Sequence, residues 1–539
     1  MAIYKDHPLL KMDYPDVDVI RVGDIYYMVS TTMYFMPGCE ILRSYDLVHW
    51  EHAAYVYERL DSTPAQCLEG EDNIYGQGMW AASLRYHNGK YYIVFVANDT
   101  HKTYLYQSER IEGPWAKSEI EGFYHDNSLL FDDDGRVYIV YGNTDVHLTE
   151  LKADLSGPKE GGIDRVIVDN SKDEVYLGYE GSHIYKINGK YYVFFINIPK
   201  STGRRTESCF VADTLEGEFT GVKVMDDDRG YCGSGVAQGG IVDTPDGRWY
   251  AILFQDSGAV GRIPVLMPVH WKEDSIFPVF GDDGVITMEF EVPDGKPGYG
   301  YEPLSGSDDF KDPVAGKEKR FTESFGFKSF WQFSHEPDLS LVEHDCESGS
   351  VKITTDKISK NLMQAKNTLT QRTMYPTCAA EITVDGSGLK DGDYAGLCML
   401  QGAYAFVALT RRGDKYYLVM KNRKPAEGLW GERHDKEPGD EQAAMELSVS
   451  KITLRAEADF TLMKDTVQMY YIEDGQKKPF GPESKLRFKL DHFTGARFGL
   501  FVYSAKETGG SAVFTDFVYG DHRDGSLAQN EPENRPCGC

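Results

Sequence analysis

Apolar and polar positions follow a repeating pattern along the first half of the chain. The ten residues HNGKYYIVFV at 87–96 return almost unchanged as INGKYYVFFI at 187–196. In each copy an Asn-Gly pair, which tolerates positive φ, precedes β-branched and aromatic residues, and this is the strongest short-range signal for a β-hairpin. The pattern therefore predicts a strand, a tight turn and a second strand at both places.

The hairpin pattern occurs five times before residue 255. The five segments start about 45 to 65 residues apart and cover 19–30, 83–96, 128–142, 182–196 and 240–254. Second hairpins follow several of them, at 41–51, 104–117 and 209–221. Four strands per unit at this period are typical of a β-propeller blade. We therefore predict an all-β protein in which residues 1–295 form a five-bladed β-propeller.

The pattern changes after the fifth unit. Residues 296–320 are rich in Gly, Pro and Asp and predict a linker. Alternating segments at 404–421 and 497–504 predict a second all-β unit, a β-sandwich over 321–521. Residues 522–539 are polar and contain proline, so we expect a flexible tail there.

Composition and charge narrow the classes of partner. The chain has 539 residues, of which 41% are hydrophobic and 13% aromatic, and this composition allows two sizeable cores. A net charge of −28 disfavours nucleic acid and anionic membranes as partners. No apolar run is long enough to span a membrane, and no signal peptide is visible at the start. Nine scattered cysteines suggest reduced thiols, so we expect a cytoplasmic protein.

Three acidic residues stand immediately ahead of apolar strands that begin blades. They are Asp16 before blade 1, Asp126 before blade 3 and Glu180 before blade 4. The innermost strands of a propeller converge on one axis, so these carboxylates are expected to meet in a funnel. Mutual repulsion raises the pKa of the least solvated one, and a protonated acid beside an ionised one is what glycoside hydrolysis requires. Taken singly, such an acid is more often a turn residue or a cap, but three in equivalent blade positions favour a shared site.

Other motifs point less clearly to chemistry. Trp80 could stack on a sugar face, and Arg262 could bind vicinal hydroxyls or hold a carboxylate ionised, although either could equally serve packing or a surface ion pair. Residues 132–135 (DDDG) lack the spacing of a calcium-binding EF-hand and are interpreted as a hairpin turn. The sequence contains no nucleophile elbow, Walker loop or HEXXH motif, which disfavours the common esterase, nucleotide-binding and zinc-protease classes.

The propeller segments together resemble glycoside hydrolase family 43, in its β-xylosidase and α-L-arabinofuranosidase branches. The matching stretches, in family order, are 14–32, 78–92, 125–138, 179–195 and 238–271. Residues 329–343 and 395–409 resemble the β-sandwich that follows the propeller in many of these enzymes. The resemblance therefore covers nearly the whole chain.

The resemblance implies an inverting mechanism and a role for each acid. Asp16 matches the general base that activates water, Glu180 matches the general acid, and Asp126 matches the carboxylate that orients the acid and raises its pKa. Trp80 and Arg262 match residues that line the pocket of the terminal sugar, and Phe35 is expected to add an apolar wall.

Three departures from the family pattern concern the site. Asp16 is followed by Val17 where proline is usual, and Trp80 by two alanines where Ala-Pro is usual. Gln238, which we also assign to the pocket, stands where many members have a histidine near the axis beside a bound metal. No cofactor is therefore expected to be required, and a calcium ion on the axis or in a structural role stays open.

The expected function is an exo-acting glycosidase that removes terminal β-D-xylosyl or α-L-arabinofuranosyl units from small xylan-derived oligosaccharides. A catalytically inactive carbohydrate-binding propeller and a retaining fructosidase-like enzyme are the alternatives. The sandwich could be a carbohydrate-binding module, a buttress or a lid that sends an aromatic loop into the pocket. Assembly into a homo-oligomer stays open.

Overall fold

The computed structural model describes residues 2–311, 325–424 and 437–521, and nearly all regular structure in these ranges is β-strand. The two copies of the repeated decapeptide form the predicted hairpins. Asn88 and Gly89 have φ of 48° and 80°, and Asn188 and Gly189 have φ of 50° and 78°. Positive φ at both central residues matches the right-handed twist of the flanking strands, which explains why Asn-Gly recurs here.

The first part of the described chain forms five four-stranded antiparallel sheets, one for each predicted hairpin unit. Strand β1 (Ala2–Tyr4) precedes them. Blade 1 consists of β2 (Asp18–Val22), β3 (Ile25–Ser30), β5 (Gly38–Ser44) and β6 (Glu51–Tyr57), and β4 (Phe35–Met36) lies between β3 and β5 in the chain but outside their sheet. Blade 2 consists of β7 (Met79–His87), β8 (Lys90–Ala97), β9 (Lys102–Ser108) and β10 (Ala116–Ile120), and blade 3 of β11 (Ser128–Phe131), β12 (Val137–Asn143), β13 (Asp145–Leu151) and β14 (Asp164–Asp169). Blade 4 consists of β15 (Val175–Ile187), β16 (Lys190–Pro199), β17 (Thr206–Ala212) and β18 (Thr220–Met225), and blade 5 of β19 (Val236–Asp243), β20 (Trp249–Asp256), β21 (Arg262–Trp271) and β22 (Pro278–Phe280).

The blades close into a ring. The first strand of each blade packs against the first strand of the next, and β19 of the fifth blade packs against β2 of the first. Strand β23 (Phe290–Val292) then pairs antiparallel with β1 at the edge. The prediction of a five-bladed propeller is confirmed, and the ring places the beginnings of five innermost strands around one axis.

The second part of the chain forms two larger sheets. Their strands are β24 (Gln332–Ser334), β25 (Val342–Asp345), β26 (Ser350–Thr354), β27 (Leu369–Arg372), β28 (Thr377–Asp385), β29 (Asp393–Leu400), β30 (Ala405–Arg412), β31 (Lys415–Asn422), β32 (Asp440–Leu447), β33 (Lys451–Asp459), β34 (Thr466–Glu473), β35 (Gln476–Pro479), β36 (Ser484–Lys485), β37 (Arg497–Ser504) and β38 (Ser511–Gly520). One sheet has the order β32-β31-β30-β29-β37-β27-β24-β4, and the other has the order β25-β26-β38-β28-β33-β34-β35 with β36 beside β34. The predicted β-sandwich is thus confirmed.

Four short 3₁₀ turns complete the regular structure of the described ranges. They are Gly258–Val260, Leu339–Leu341, Leu362–Gln364 and Thr461–Met463. No helix in these ranges is long and apolar enough to cross a lipid bilayer. The cysteines in the same ranges are all free thiols, and Cys537 and Cys539 lie outside them.

One strand from the propeller part of the chain belongs to a sheet of the sandwich. Strand β4 leaves blade 1 and pairs with β24, so that Phe35 lies opposite Ser334 and Met36 opposite Phe333. The Tyr55 hydroxyl donates to the Ser329 carbonyl at 2.6 Å, which fixes the two units nearby. The shared sheet therefore holds the sandwich firmly against one side of the propeller.

The predicted domain limits stay a prediction. The last propeller strand ends at Val292 and the first sandwich strand begins at Gln332, and within the predicted linker Tyr301 accepts a hydrogen bond from the backbone of Tyr45 at 2.9 Å. The rest of the linker, 312–320, and the expected tail, 522–539, lie outside the described residues.

Candidate active site

The innermost strands of all five blades are irregular at one level, which holds Asp16, Trp80, Asp126, Glu180 and Gln238. Asp16 and Asp126 have φ of 51° and 48°, in the left-handed region, just before β2 and β11. In the other three blades the strand pairing skips residues, between Met79 and Ala82 in β7, between Glu180 and His183 in β15, and between Ala237 and Gly239 in β19. Bulges of this kind re-aim side chains and are common beside active sites.

Hydrogen bonds hold the two left-handed aspartates in place. The Pro15 carbonyl, before Asp16, accepts bonds from the Ser30 hydroxyl at 2.7 Å and the Thr31 amide at 3.3 Å. The carbonyl before Asp126 accepts from the Gly142 amide at 3.0 Å. Asp tolerates positive φ better than most residues, but the conformation still costs of order 1 kcal/mol and persists only where neighbours impose it. Both carboxylates are therefore aimed by rigid backbone.

Asp16 is held by a guanidinium. Arg262 Nη1 donates to Asp16 Oδ1 at 2.6 Å, and the side chains are only 2% and 8% exposed. Burial raises the pKa of the Asp16 carboxyl above its ordinary value, Arg262 opposes this rise, and the nearby charge of Asp126 adds to it. The result is a carboxylate of increased basicity that has an ion-pair partner, as a general base requires.

Asp126 and Glu180 form a second group with His125. The imidazole Nε2 lies 3.8 Å from Asp126 Oδ1 and 3.7 Å from Glu180 Oε2. Burial raises the pKa of Asp126, the charge of His125 opposes this, and the charge of Glu180 adds to the rise. Asn143 Nδ2 donates a hydrogen bond to Glu180 Oε2. The two carboxyl groups thus have an environment different from that of Asp16.

His125 was not predicted from the sequence. The charge of Asp126, and after it the hydrogen bond to Glu180, raise the pKa of His125 to about 9, although burial acts in the opposite direction. Its nitrogen and the two carboxylate oxygens lie within 4.8 Å of one another, a spacing that metal ligands also have. The same three side chains form charge contacts with one another, and we interpret the cluster as part of the candidate acid–base machinery.

The sandwich contributes a wall of the same pocket. Phe493, in the loop between β36 and β37, lies 4.2 Å from Cζ of Arg262 and 5.6 Å from the ring of Trp80. The ring of Trp80 also lies 5.7 Å from that of His125. Phe493 therefore contacts both Arg262 and Trp80, and of the three roles left open for the sandwich this contact favours the lid. No sequence pattern marks Phe493, because its partners lie in the other unit.

The remaining two predicted residues take different positions. Gln238 is 4% exposed, and its side chain lies so close to Gly181 that an added Cβ there would come within 2.6 Å of it. It therefore lies beside Glu180. Phe35 is completely buried, with the guanidinium of Arg497 3.4 Å from its ring, in the strand that pairs with the sandwich. Its role as a pocket wall stays a prediction.

The Asp13 carboxylate links the strand that carries Arg262 to the loop that carries Phe493. Its Oδ1 accepts the backbone N–H of Arg262 at 2.7 Å, and its Oδ2 accepts that of Gly495 in the Phe493 loop at 2.8 Å. Its backbone carbonyl accepts from Arg372 Nε at 2.8 Å. One buried carboxylate thus sets the position of the strand that carries Arg262 relative to the lid loop.

The propeller axis below the site is filled by protein groups. Asp18 Oδ2 accepts from the Leu84 amide at 2.8 Å and from Arg85 Nη1 at 2.6 Å, and His183 Nδ1 lies 3.3 Å from Asp18 Oδ1. Arg85 Nη2 donates to the Ser128 hydroxyl at 2.7 Å. Burial alone would raise the pKa of Asp18, but Arg85 and then His183 hold it below its ordinary value.

Asp18 is not arranged as a calcium ligand, and the calcium ion considered beside Gln238 stays a prediction. Calcium takes about six to eight oxygen ligands, whereas N–H groups already bind the Asp18 carboxylate and a guanidinium supplies the positive charge. The axial carboxylate is satisfied without a metal.

Comparison with known proteins identifies the family. Residues 5–277 match the model of the glycosyl hydrolases family 43, and residues 320–520 match the model of the beta xylosidase C-terminal concanavalin A-like domain. The chain belongs to glycoside hydrolase family 43. The resemblance inferred from the residues is thereby confirmed, and the protein is a glycosidase that acts on carbohydrate.

Individual relatives cover nearly the whole chain. It is 26% identical to a beta-xylosidase of Formosa agariphila over 97% of this chain and 91% of that protein. It is 25% identical to xylosidase/arabinosidase 43B of Humicola insolens, over 95% of this chain and 97% of that protein.

Solved structures share the fold. A bifunctional GH43-CE protein of Bacteroides eggerthii has a TM-score of 0.85 and 40% identity over 96% of this chain, which spans 64% of that longer protein. A GH43 enzyme engineered to display both endo-xylanase and exo-arabinofuranosidase activity has a TM-score of 0.83 and 27% identity, with coverage of 96% and 100%.

Proposed function

We propose that this protein is an exo-acting, inverting glycosidase that releases terminal β-D-xylosyl or α-L-arabinofuranosyl units from xylan- or arabinoxylan-derived oligosaccharides. The observation that carries the proposal is the division of three carboxyl groups into two environments. Asp16 is paired with Arg262, while Glu180 lies beside Asp126 and His125. Two carboxyl groups with different surroundings are the arrangement from which an acid and a base arise in glycoside hydrolysis.

Each group has a step in the reaction. Asp16, as the base, takes a proton from a water molecule that attacks the anomeric carbon. Glu180, as the acid, gives its proton to the glycosidic oxygen as the bond to the leaving sugar breaks. Asn143 Nδ2 donates to Glu180 Oε2 and orients this carboxyl group, and Asp126 lies beside the same nitrogen of His125. One water is consumed, and the configuration at the anomeric carbon inverts.

The pocket walls support a small terminal sugar. Trp80 offers a flat apolar face, and Arg262 lies between the Phe493 ring and the Asp16 carboxylate. Phe493 of the sandwich loop packs against Arg262 and Trp80, and a wall at this place favours cleavage from a chain end over cleavage within a polymer. The names of the relatives, which include β-xylosidases and a xylosidase/arabinosidase, support pentose units as the substrate.

A proton NMR time course with xylobiose tests the proposal. Inversion predicts that α-xylose appears before mutarotation mixes the anomers, and an Asp16→Asn variant controls for contaminating enzymes. Early β-xylose would contradict inversion. If xylobiose is not hydrolysed, the experiment is repeated with an α-L-arabinofuranoside. Inversion then predicts that β-L-arabinofuranose appears first. No turnover of either substrate refutes the pentosidase and favours the carbohydrate-binding alternative.

A further inference from the structure

A second arginine lies beside the catalytic carboxylates and has no role in the mechanism above. Arg205 immediately precedes β17 in blade 4, and its Cζ is 5.2 Å from the centre of the Phe254 ring. Cζ of Arg262 is also 5.2 Å from the same ring. Phe254 is completely buried in β20, so one rigid aromatic ring positions both guanidinium groups.

The side chain of Arg205 is anchored at one nitrogen. Its Nε donates to Asp256 Oδ2 at 2.5 Å, and Asp256 lies directly opposite Arg262 in the pairing of β20 with β21. The backbone is equally constrained, because the Arg205 carbonyl packs against Gly235 so closely that an added Cβ would come within 1.9 Å of it. The direction of the guanidinium is therefore set before any ligand binds.

The two terminal nitrogens of Arg205 have no acceptor among the described residues, although 15% of the side chain is exposed. Neighbouring arginines differ. Arg204 uses Nε and Nη2 on Asp226, and Arg85 uses all three of its nitrogens on the axis. A fixed, solvent-accessible fork with free donors is suited to binding a ligand rather than to holding the fold.

The guanidinium of Arg205 interacts electrostatically with acidic groups of the site. Burial alone would lower the pKa of Arg205, but Asp256 first, and then Glu180 and Asp16, raise it. The charge of Arg205 in turn lowers the pKa of Asp16. Arg205 therefore lies within electrostatic range of the acid and the base, between which the terminal sugar must be held.

We propose that Arg205 is a sugar-binding residue whose terminal N–H groups donate to hydroxyl groups of the glycosyl unit held between Asp16 and Glu180. This inference rests on the proposed function for its substrate class. A neutral sugar is the ligand, because the carboxylates of Asp16, Asp126 and Glu180 would repel a uronic acid at this position. Vicinal hydroxyls match the spacing of the two donors.

The test compares Arg205→Met with Arg205→Lys and with Arg204→Met as the matched control. Met keeps the length of the side chain and its packing on Phe254 but removes the donors. On the pentoside that the wild type cleaves fastest, Arg205→Met is expected to lose about 10- to 100-fold in kcat/KM. Arg205→Lys should lose less, and Arg204→Met should equal the wild type. The melting temperature of each variant separates these losses from unfolding.

Deoxy substrates identify the bond itself. On a glycoside that lacks the hydroxyl bound by Arg205, the kcat/KM of the wild type should fall as much as that of Arg205→Met falls on the full substrate. The kcat/KM of Arg205→Met on the deoxy glycoside should fall no further. The proposal would be overturned if, for every deoxy position, the losses of kcat/KM from the substitution and from the missing hydroxyl multiplied. It would also be overturned if Arg205→Met lowered the melting temperature but left the kinetics unchanged. If the wild type cleaves only another kind of glycoside, the proposed pentosidase function is refuted, but the role of Arg205 is still tested, because the variants are then compared on that glycoside. A wild type that neither cleaves nor binds any sugar in a titration with xylose and arabinose refutes both.

Discussion

Phe493→Ala removes the side chain with which the sandwich reaches the candidate active site. In the structure the ring lies 4.2 Å from Cζ of Arg262, which is only 2% exposed, and 5.6 Å from the ring of Trp80. A desolvated cation–π contact contributes about 2 kcal/mol, and an aromatic pair about 1 kcal/mol. If both contacts act in the transition state, kcat/KM should fall on the order of 100-fold.

Two further substitutions separate the contributions. Phe493→Leu keeps apolar volume but lacks the aromatic face, so its loss should lie between the wild type and Phe493→Ala. Phe493→Tyr keeps the face and should remain within a few-fold of the wild type. The backbone carbonyl of residue 493, which accepts from Arg262 Nη2 at 3.4 Å, is present in all three variants. Any difference among them therefore reports the side chain.

The assay is initial-rate kinetics with an aryl pentoside, together with thermal unfolding of each variant. The expected pattern is a graded loss of kcat/KM with little change in melting temperature, because the ring belongs to a partly exposed loop. If Phe493→Ala retained kcat/KM within threefold of the wild type, the sandwich would be a buttress only. Equal losses in the Ala, Leu and Tyr variants would indicate that loop conformation, and not the ring, is responsible.

Three other substitutions test the acid, the base and their support. Glu180→Ala should abolish turnover of xylobiose but largely spare substrates with activated leaving groups, which need little protonation; equal losses on both would remove Glu180 from the acid role. Asp16 must be ionised to act as base, so activity falls as pH drops through its raised pKa. Arg262→Met should raise the pKa of Asp16 further and move the acid limb of the kcat/KM profile to higher pH, whereas Arg262→Lys should not. An acid limb that stays in place in Arg262→Met would contradict this prediction. Asp13→Asn should lower the free energy of unfolding by about 1–3 kcal/mol in urea titrations, because a buried N–H loses its acceptor, whereas the exposed Asp24→Asn should have no effect.

Local patterns were sufficient to predict the blades and their acids. A hairpin depends on a turn and on alternation within about twenty residues, and both are visible in the sequence around Asn88 and Asn188. Asp16, Asp126 and Glu180 were found for the same reason, since each directly precedes or lies within the first strand of its blade. Once the units are counted, their equivalence brings the three residues together.

Contacts over long sequence distances were not predictable in this way. Phe493 approaches Arg262, 231 positions away along the chain, and Asp13 binds the amide of Gly495, 482 positions away. Neither residue lies in a repeated pattern, and both act across the boundary between the propeller and the sandwich. Arg205 was missed for another reason, because beside Arg204 in a polar segment it is indistinguishable from a surface charge in the sequence.

The irregular level of the innermost strands explains why this fold can hold such a site. A regular strand would point alternate residues toward and away from the axis, and neighbouring strands would need small residues to meet there. Here each inner strand departs from regular pairing at one level, through left-handed Asp16 and Asp126 or through a bulge near Trp80, Glu180 and Gln238. Beyond this level, toward the end of each inner strand, the pairing is regular, so the departure leaves that part of the blades intact. Catalytic side chains can therefore differ from blade to blade while the same backbone arrangement positions all of them.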